Sequence, residues 1–103
     1  MKRAVLWSAD ALRELDAAID YIAVRNVAAA DRVIADLHRA ADGLGRSATG
    51  HPGRVVGTYE KSVTGRPYII AYAIDTLLDD RERIVILRII HSARNWPRGT
   101  WPQ

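Results

Sequence analysis

The sequence contains no cysteine, and this absence excludes disulfide bonds, thiolate metal ligands and cysteine nucleophiles. Long apolar runs are also missing. The charged start of the chain is followed by four apolar residues, 4–7, whereas a secretory signal needs roughly 7–15 and a membrane span about 18. We therefore expect a cytoplasmic protein with no signal peptide and no membrane contact.

Patterns that bind metals or cofactors are scarce as well. The three histidines, His38, His51 and His91, lie far apart and lack the spacing of metal ligands. The glycines between residues 43 and 53 are not followed by the Lys-Ser/Thr pair of a phosphate-binding loop. We expect neither a metal site nor a cofactor.

Length and composition indicate one globular domain, residues 1–103, with 49% hydrophobic and 26% charged residues. Positive charge is concentrated in the second part of the chain. Residues 1–45 carry a net charge of −1 and residues 46–103 a net charge of +4. The basic part indicates an anionic partner, such as nucleic acid or an acidic protein segment, unless it only keeps the surface solvated.

The first half of the chain predicts two helices. Ser8 is a good N-cap, and apolar residues recur after it at helical spacing as far as Arg25. Asn26 caps a second apolar stripe, which we expect to end at Gly43 and Gly45. Because almost no linker separates the two helices, they must form an antiparallel hairpin.

The second half of the chain has the patterns of β-strands. Residues 54–63 predict one strand or a bulged pair with Gly57 as the irregularity, and β-branched and aromatic residues predict strands at 68–74 and 83–90. A short strand at 3–7 completes the order β-α-α-β-β-β. The sequence thus predicts an α/β (α+β) fold, in which the helical hairpin packs on one face of an antiparallel sheet of about four strands.

Both faces of this sheet are apolar. One face carries small alanines that would let the helices approach, together with larger residues: Ile69, Ala71, Ala73, Val85, Leu87 and Ile89. The opposite face carries Tyr68, Ile70, Tyr72, Ile74, Ile84, Ile86, Arg88 and Ile90. Little of the chain is left to cover this second face, so either a partner binds it or the tail with Trp96 and Trp101 folds back over it.

Local strings spread over nearly the whole chain carry a resemblance to a known family. They are Trp7-Ser8, Tyr21-Ile22, Ala29-Ala30 with Arg32, and residues 53–60 (GRVVGTYE), 68–72 (YIIAY) and 86–97 (ILRIIHSARNWP). Their ordered set resembles the RelE/ParE superfamily of bacterial toxins, and in particular its ParE-like members, often described as plasmid-stabilisation toxins.

The resemblance implies the toxin of a type II toxin–antitoxin system, held in a hetero-oligomer by a cognate ParD-like antitoxin whose C-terminal segment wraps the toxin's groove. ParE-type toxins poison DNA gyrase, whereas RelE-type relatives cleave messenger RNA in the ribosomal A site. If the second face is the groove, the expected antitoxin-binding residues are Tyr68, Ile70, Tyr72, Ile84, Ile86 and Arg88.

The ribonuclease alternative needs a base, an acid and cations but no metal. Glu60, Arg88, His91 and Arg94 have the required side chains. Glu60 and Arg88 could instead form a cross-strand ion pair. RelE-like nucleases usually place a Tyr or His beside arginines in the final segment, and this tail contains no Tyr. The incomplete pattern favours a gyrase poison that is not itself an enzyme over a ribosome-dependent nuclease.

The tail also suggests residues that contact the target: His91, Arg94, Trp96 and Arg98. Cations beside an aromatic ring suit phosphate pairing and base stacking, or a protein interface, in which Trp and Arg dominate hot spots. Packing of Trp96 on the core is a third possibility. A protein-interaction module without toxicity remains the last alternative for the whole chain.

Overall fold

A computed structural model describes residues 2–93 and 99–101 of the chain. Two helices and five strands follow one another in the order β1 (Ala4–Trp7), α1 (Ala9–Ala23), α2 (Val27–Arg46), β2 (His51–Pro52), β3 (Tyr59–Ser62), β4 (Tyr68–Thr76) and β5 (Glu82–His91).

Both predicted helix caps are confirmed. The Ser8 side chain accepts a hydrogen bond from the Ala11 N–H at 3.1 Å, and the Asn26 side chain accepts one from the Ala29 N–H at 3.0 Å. The predicted stop of the second helix is wrong, because α2 continues to Arg46. Gly45 lies inside α2 and lets β1 approach, since a Cβ atom at this position would lie 2.6 Å from the Arg3 carbonyl oxygen.

The sheet has five strands in the order β1-β5-β4-β3-β2. The α+β class and the helical hairpin are confirmed, but the sheet is mixed, because β1 pairs with β5 in parallel while the other pairs are antiparallel. The strand or bulged pair expected at 54–63 is also corrected, because only Tyr59–Ser62 of this range forms a strand. A turn closed by the Gly53 N–H donating to the Thr58 carbonyl at 2.8 Å separates β2 from β3.

The helices cover the face opposite to the one expected. Ile70, Tyr72, Ile84 and Ile86 are each at most 1% exposed and pack with helix residues such as Leu37 in the main core. The reason is area: burying isoleucine and tyrosine removes far more apolar surface from water than burying the alanines of the other face.

A β-bulge changes the alternation of β5. Tyr72 pairs with Ile86 but Ala71 pairs with Arg88, so Leu87 is the extra residue. Beyond the bulge, Ile89 joins the main core, whereas Ile90 packs with Ala71 on the other face. Strict alternation had placed Ile89 and Ile90 on the wrong faces.

An ion cluster fastens α2 to the turn before β4. The Asp36 carboxylate accepts hydrogen bonds from Arg66 Nε and Arg39 Nη1, both at 2.8 Å. The Arg66 guanidinium, followed by that of Arg39, holds the pKa of Asp36 below its ordinary value.

A lowered folded-state pKa means that Asp36 stabilises the fold above its unfolded pKa, and that this contribution is lost as the pH falls through the folded value. We expect Asp36→Asn to lower Tm modestly at pH 7 and to differ little from the wild type at pH 2. Thermal melts over this pH range, with the exposed Asp31→Asn as control, test it. An Asp36→Asn deficit that persists unchanged at pH 2 would contradict the ion-cluster explanation.

Candidate protein-interaction site

The face of the sheet turned away from the helices offers an apolar surface. We call it the open face and define it by Leu6, Ile69, Ala71, Ala73, Val85 and Ile90. Leu6 pairs with Val85, which pairs in turn with Ala73, so these three side chains lie side by side. Leu6 is 44% exposed, and Val85 and Ala73 are half-buried.

Trp101 covers one end of the open face. It packs with Ile69 against Ala71 and Ile90, which are 0% and 1% exposed. The interpretation that the tail folds back over the sheet therefore holds for Trp101, although on the face opposite to the one expected. Trp96 lies outside the described residues.

A basic cleft of about 800 Å³ adjoins the other end of the open face. Leu6 belongs to both surfaces. The cleft is lined by apolar Ala4, Leu6 and Leu77, by cationic Lys2, Arg3, Arg46, Arg81 and Arg83, and by acidic Asp80 and Glu82. Ion pairs at its rim join Arg3 to Glu82 at 2.9 Å and Arg83 to Asp75 at 2.7 Å. Cations outnumber acids along this rim, so the cleft favours an acidic partner.

Helix α1 completes the edge of β5 where β1 ends. β1 stops at Trp7, opposite Ile86, and the Ser8 hydroxyl then donates to the Leu87 carbonyl at 2.9 Å. Further along, Glu14 Oε1 accepts from the Ile89 N–H at 3.0 Å. These side chains occupy backbone groups that a foreign strand would otherwise pair with.

Glu14 also clamps Arg88 in a two-point ion pair. Glu14 Oε1 accepts from Arg88 Nε at 2.9 Å, and Oε2 accepts from Nη2 at 2.8 Å. The two side chains are only 20% and 18% exposed. Hydrogen bonding to Glu14 raises the pKa of Arg88 above its ordinary value. The guanidinium is thus fixed in one orientation, 5.7 Å from the Trp101 ring centre.

Of the residues considered for a nuclease, Arg94 lies outside the described residues, and the other three, Glu60, Arg88 and His91, do not converge. Glu60 is 3% exposed and accepts from the Arg54 N–H at 2.9 Å. Glu60 and Arg88 pair with Ala71 from opposite sides, so strand β4 lies between them. The expected Glu60–Arg88 ion pair is replaced by the Glu14–Arg88 pair. His91 packs edge-on against Tyr68 at 5.4 Å, toward the main core.

The other residues expected to contact the target, Arg94, Trp96 and Arg98, lie outside the described residues. His91 is exposed, and its Nδ1 accepts from the Ala93 N–H at 3.2 Å. Accepting this bond leaves the ring proton of a neutral His91 on Nε2. His91 therefore shapes the turn in which the tail begins.

The expected antitoxin-binding set needs correction. Five of its members lie beneath the helices and are at most 9% exposed: Tyr68, Ile70, Tyr72, Ile84 and Ile86. They offer little surface to a partner, and of the original set only Arg88 borders the open face. Two residues of the open face, Ala73 and Val85, had one signal in the sequence: they belong to the smaller of the two apolar sets, which is the set that the helices leave uncovered. Leu6 belongs to neither set.

Metal ligation has no support in the part of the chain that the structure describes, because no group of three His, Cys, Asp or Glu side chains there could hold an ion. Neither helix of residues 2–93 is long and apolar enough to cross a membrane.

Comparison with known proteins identifies the family. The sequence model described as "ParE toxin of type II toxin-antitoxin system, parDE" matches residues 5–96. The chain belongs to the ParE toxin family. It is also 35% identical over 98 residues to Y4kP of Sinorhizobium fredii (strain NBRC 101917 / NGR234), whose name describes a candidate toxin; the match covers 94% of this chain and 96% of that protein.

A solved structure shares the fold described above. A chain of the chromosomal ParDE TA system from P. aeruginosa superposes with a TM-score of 0.76 and 22% sequence identity, over 87% of this chain and 96% of that one. At this identity the similarity concerns the fold.

The Glu14 clamp generates a stability prediction. Glu14→Ala would remove the carboxylate that Arg88 and the Ile89 N–H share in a partly buried place, and we expect a loss of about 2–3 kcal/mol in the free energy of unfolding. Asp10→Ala on the same helix removes the exposed Asp10–Arg13 pair and should cost less than about 1 kcal/mol. Urea denaturation measures both values, and equal losses would show that Glu14 does not fasten α1 to β5.

Proposed function

We propose that this ParE-family toxin inhibits DNA gyrase, and that a ParD-like antitoxin neutralises it by laying a C-terminal segment across the open face and the basic cleft. The toxin and antitoxin would form a hetero-oligomer. Action on gyrase would place the protein in the cytoplasm and suit a role in plasmid stabilisation.

The observation that carries the antitoxin site is the junction of apolar and cationic surface at Leu6. An amphipathic segment binds such a junction by placing apolar side chains on Leu6, Val85 and Ala73 and its carboxylates near the cleft. The cleft contributes Lys2 and Arg46 in addition to the arginines that have carboxylate neighbours. A chain this small also gains stability when a partner covers its remaining apolar surface.

The dispersed side chains favour a target other than messenger RNA. A general base and a general acid must both reach the reacting atoms. Here the Glu60 carboxylate is buried and holds the Arg54 N–H, Glu14 holds Arg88, and His91 faces away from the open face. This arrangement suits residues that hold the fold and contact a protein better than it suits acid–base chemistry.

Val85→Asp tests the antitoxin site. The variant places a charge on the open face and should weaken antitoxin binding roughly tenfold or more. Val56→Asp is the matched control, because Val56 is 97% exposed in the turn before β3 and should bind like wild type. Calorimetric titration with the protein encoded in the adjacent reading frame gives the affinities, and melting curves verify folding. Unchanged affinity of folded Val85→Asp would remove the open face from the interface.

The gyrase target is tested with purified protein and in cells. We expect inhibition of DNA supercoiling, induction of the DNA-damage response, and intact messenger RNA. Glu60→Gln and His91→Ala should retain most of the toxicity, because neither residue has a catalytic role in this proposal. In a nuclease, loss of the acid or base would instead lower the rate typically ~10²–10⁴-fold.

The ribonuclease would replace this proposal if the wild-type protein cleaves messenger RNA during translation and leaves gyrase active, and if folded His91→Ala loses this cleavage. Normal growth with neither activity, despite tight antitoxin binding, would identify an interaction module.

A further inference from the structure

Trp101 is the residue of the described tail that reaches the open face. Its ring, with Ile69, shields Ala71 and Ile90 in a small cluster separate from the main core. The Arg88 guanidinium carbon lies 5.7 Å from the ring centre, near the outer limit of a cation–π contact. The apolar contacts therefore account for most of what holds the ring in place.

The indole nitrogen of Trp101 is buried, and no group in residues 2–93 and 99–101 forms a hydrogen bond with it. An indole N–H can only donate, and leaving a buried donor unpaired is unfavourable. Buried tryptophans usually find an acceptor for this group. A phenylalanine ring at this position would bury less apolar surface but would carry no unpaired donor, so the N–H is the feature of Trp101 that packing leaves unused.

The surroundings of Trp101 leave room for a second molecule. A cleft of about 560 Å³ separates the tail from α1 and is lined by Asp10, Arg13, Glu14, Ala17, Arg88, Thr100 and Trp101. Asp10 pairs with Arg13, and Glu14 pairs with Arg88. Thus the carboxylates that line this cleft already have cationic partners within the chain, and a segment bound there would supply its own acceptors.

We infer that Trp101 is an interface residue of this toxin, and that its indole N–H donates to a backbone carbonyl or carboxylate oxygen of the antitoxin segment on the open face. The inference rests on the antitoxin binding proposed above. Because the nitrogen has almost no exposed surface in the free chain, the binding segment must bring its acceptor to the edge of the ring by a local shift of Trp101. Satisfying the unpaired donor makes this shift favourable once an acceptor is present.

Trp101→Phe separates the hydrogen bond from packing. Phenylalanine keeps an aromatic cover but has no donor, so we expect only a small change in Tm and about tenfold or greater weakening of antitoxin binding. Trp101→Ala should lower Tm more, because it uncovers Ala71 and Ile90. Trp7→Phe is the matched control, because Trp7 packs on the core side, beside His38. The antitoxin affinity of this variant should stay at the wild-type value.

The indole proton itself can be followed by ¹⁵N–¹H NMR. The chain has three tryptophans, and the peak missing from Trp101→Phe belongs to Trp101. Adding the full-length protein from the adjacent reading frame should move this peak downfield as the hydrogen bond forms.

An unmoved Trp101 peak in the complex, or equal affinity of Trp101→Phe and wild type, would overturn the inference while leaving the antitoxin proposal intact. A wild-type toxin that binds no antitoxin would reject both.

Discussion

The carboxylate of Glu14 joins the helical layer to the sheet where β1 ends. β5 runs to His91 while its pairing with β1 stops at Ile86, so α1 lies beside the second half of β5. Glu14 meets this backbone at the Ile89 N–H and fixes the neighbouring Arg88 with its second oxygen. The position of α1, the closed edge of β5 and the orientation of Arg88 therefore depend on one carboxylate with three good bonds.

The same interaction limits the chemistry available to this ParE-family chain. Arg88 is the cation nearest the centre of the open face, and in a nuclease it would have to stabilise a phosphorane. Here two of its N–H groups, at Nε and Nη2, donate to Glu14 in a partly buried pair. Arg83 is likewise paired with Asp75 at the rim. Fixed and neutralised arginines suit recognition, where geometry and charge pattern select a partner.

Local signals in the sequence were sufficient to predict that the two helices and the main strands exist. Ser8 and Asn26 cap helices through bonds three residues away, so their role is visible in a short window. The orientation of the sheet was not visible there, because it depends on which apolar set buries more area against α1 and α2. The bulge at Leu87 then moved Arg88 and Ile90 relative to strict alternation. Glu14 and Arg88 are 74 residues apart, and no local pattern links them.

An apolar sheet face promotes self-association unless it is protected, and several features of the chain give the open face such protection. Ala71 and Ala73 keep the centre of the open face small, and Trp101 shields one end of it. The edge strand β2 has two residues and ends in Pro52, which cannot donate to another strand. Glu14 closes the free part of β5 from the opposite side. In residues 2–93 and 99–101, the part of the open face that remains accessible is the strip at Leu6 and Val85 beside the cations, and its charge suits the acidic segment proposed above better than a second basic copy of the chain.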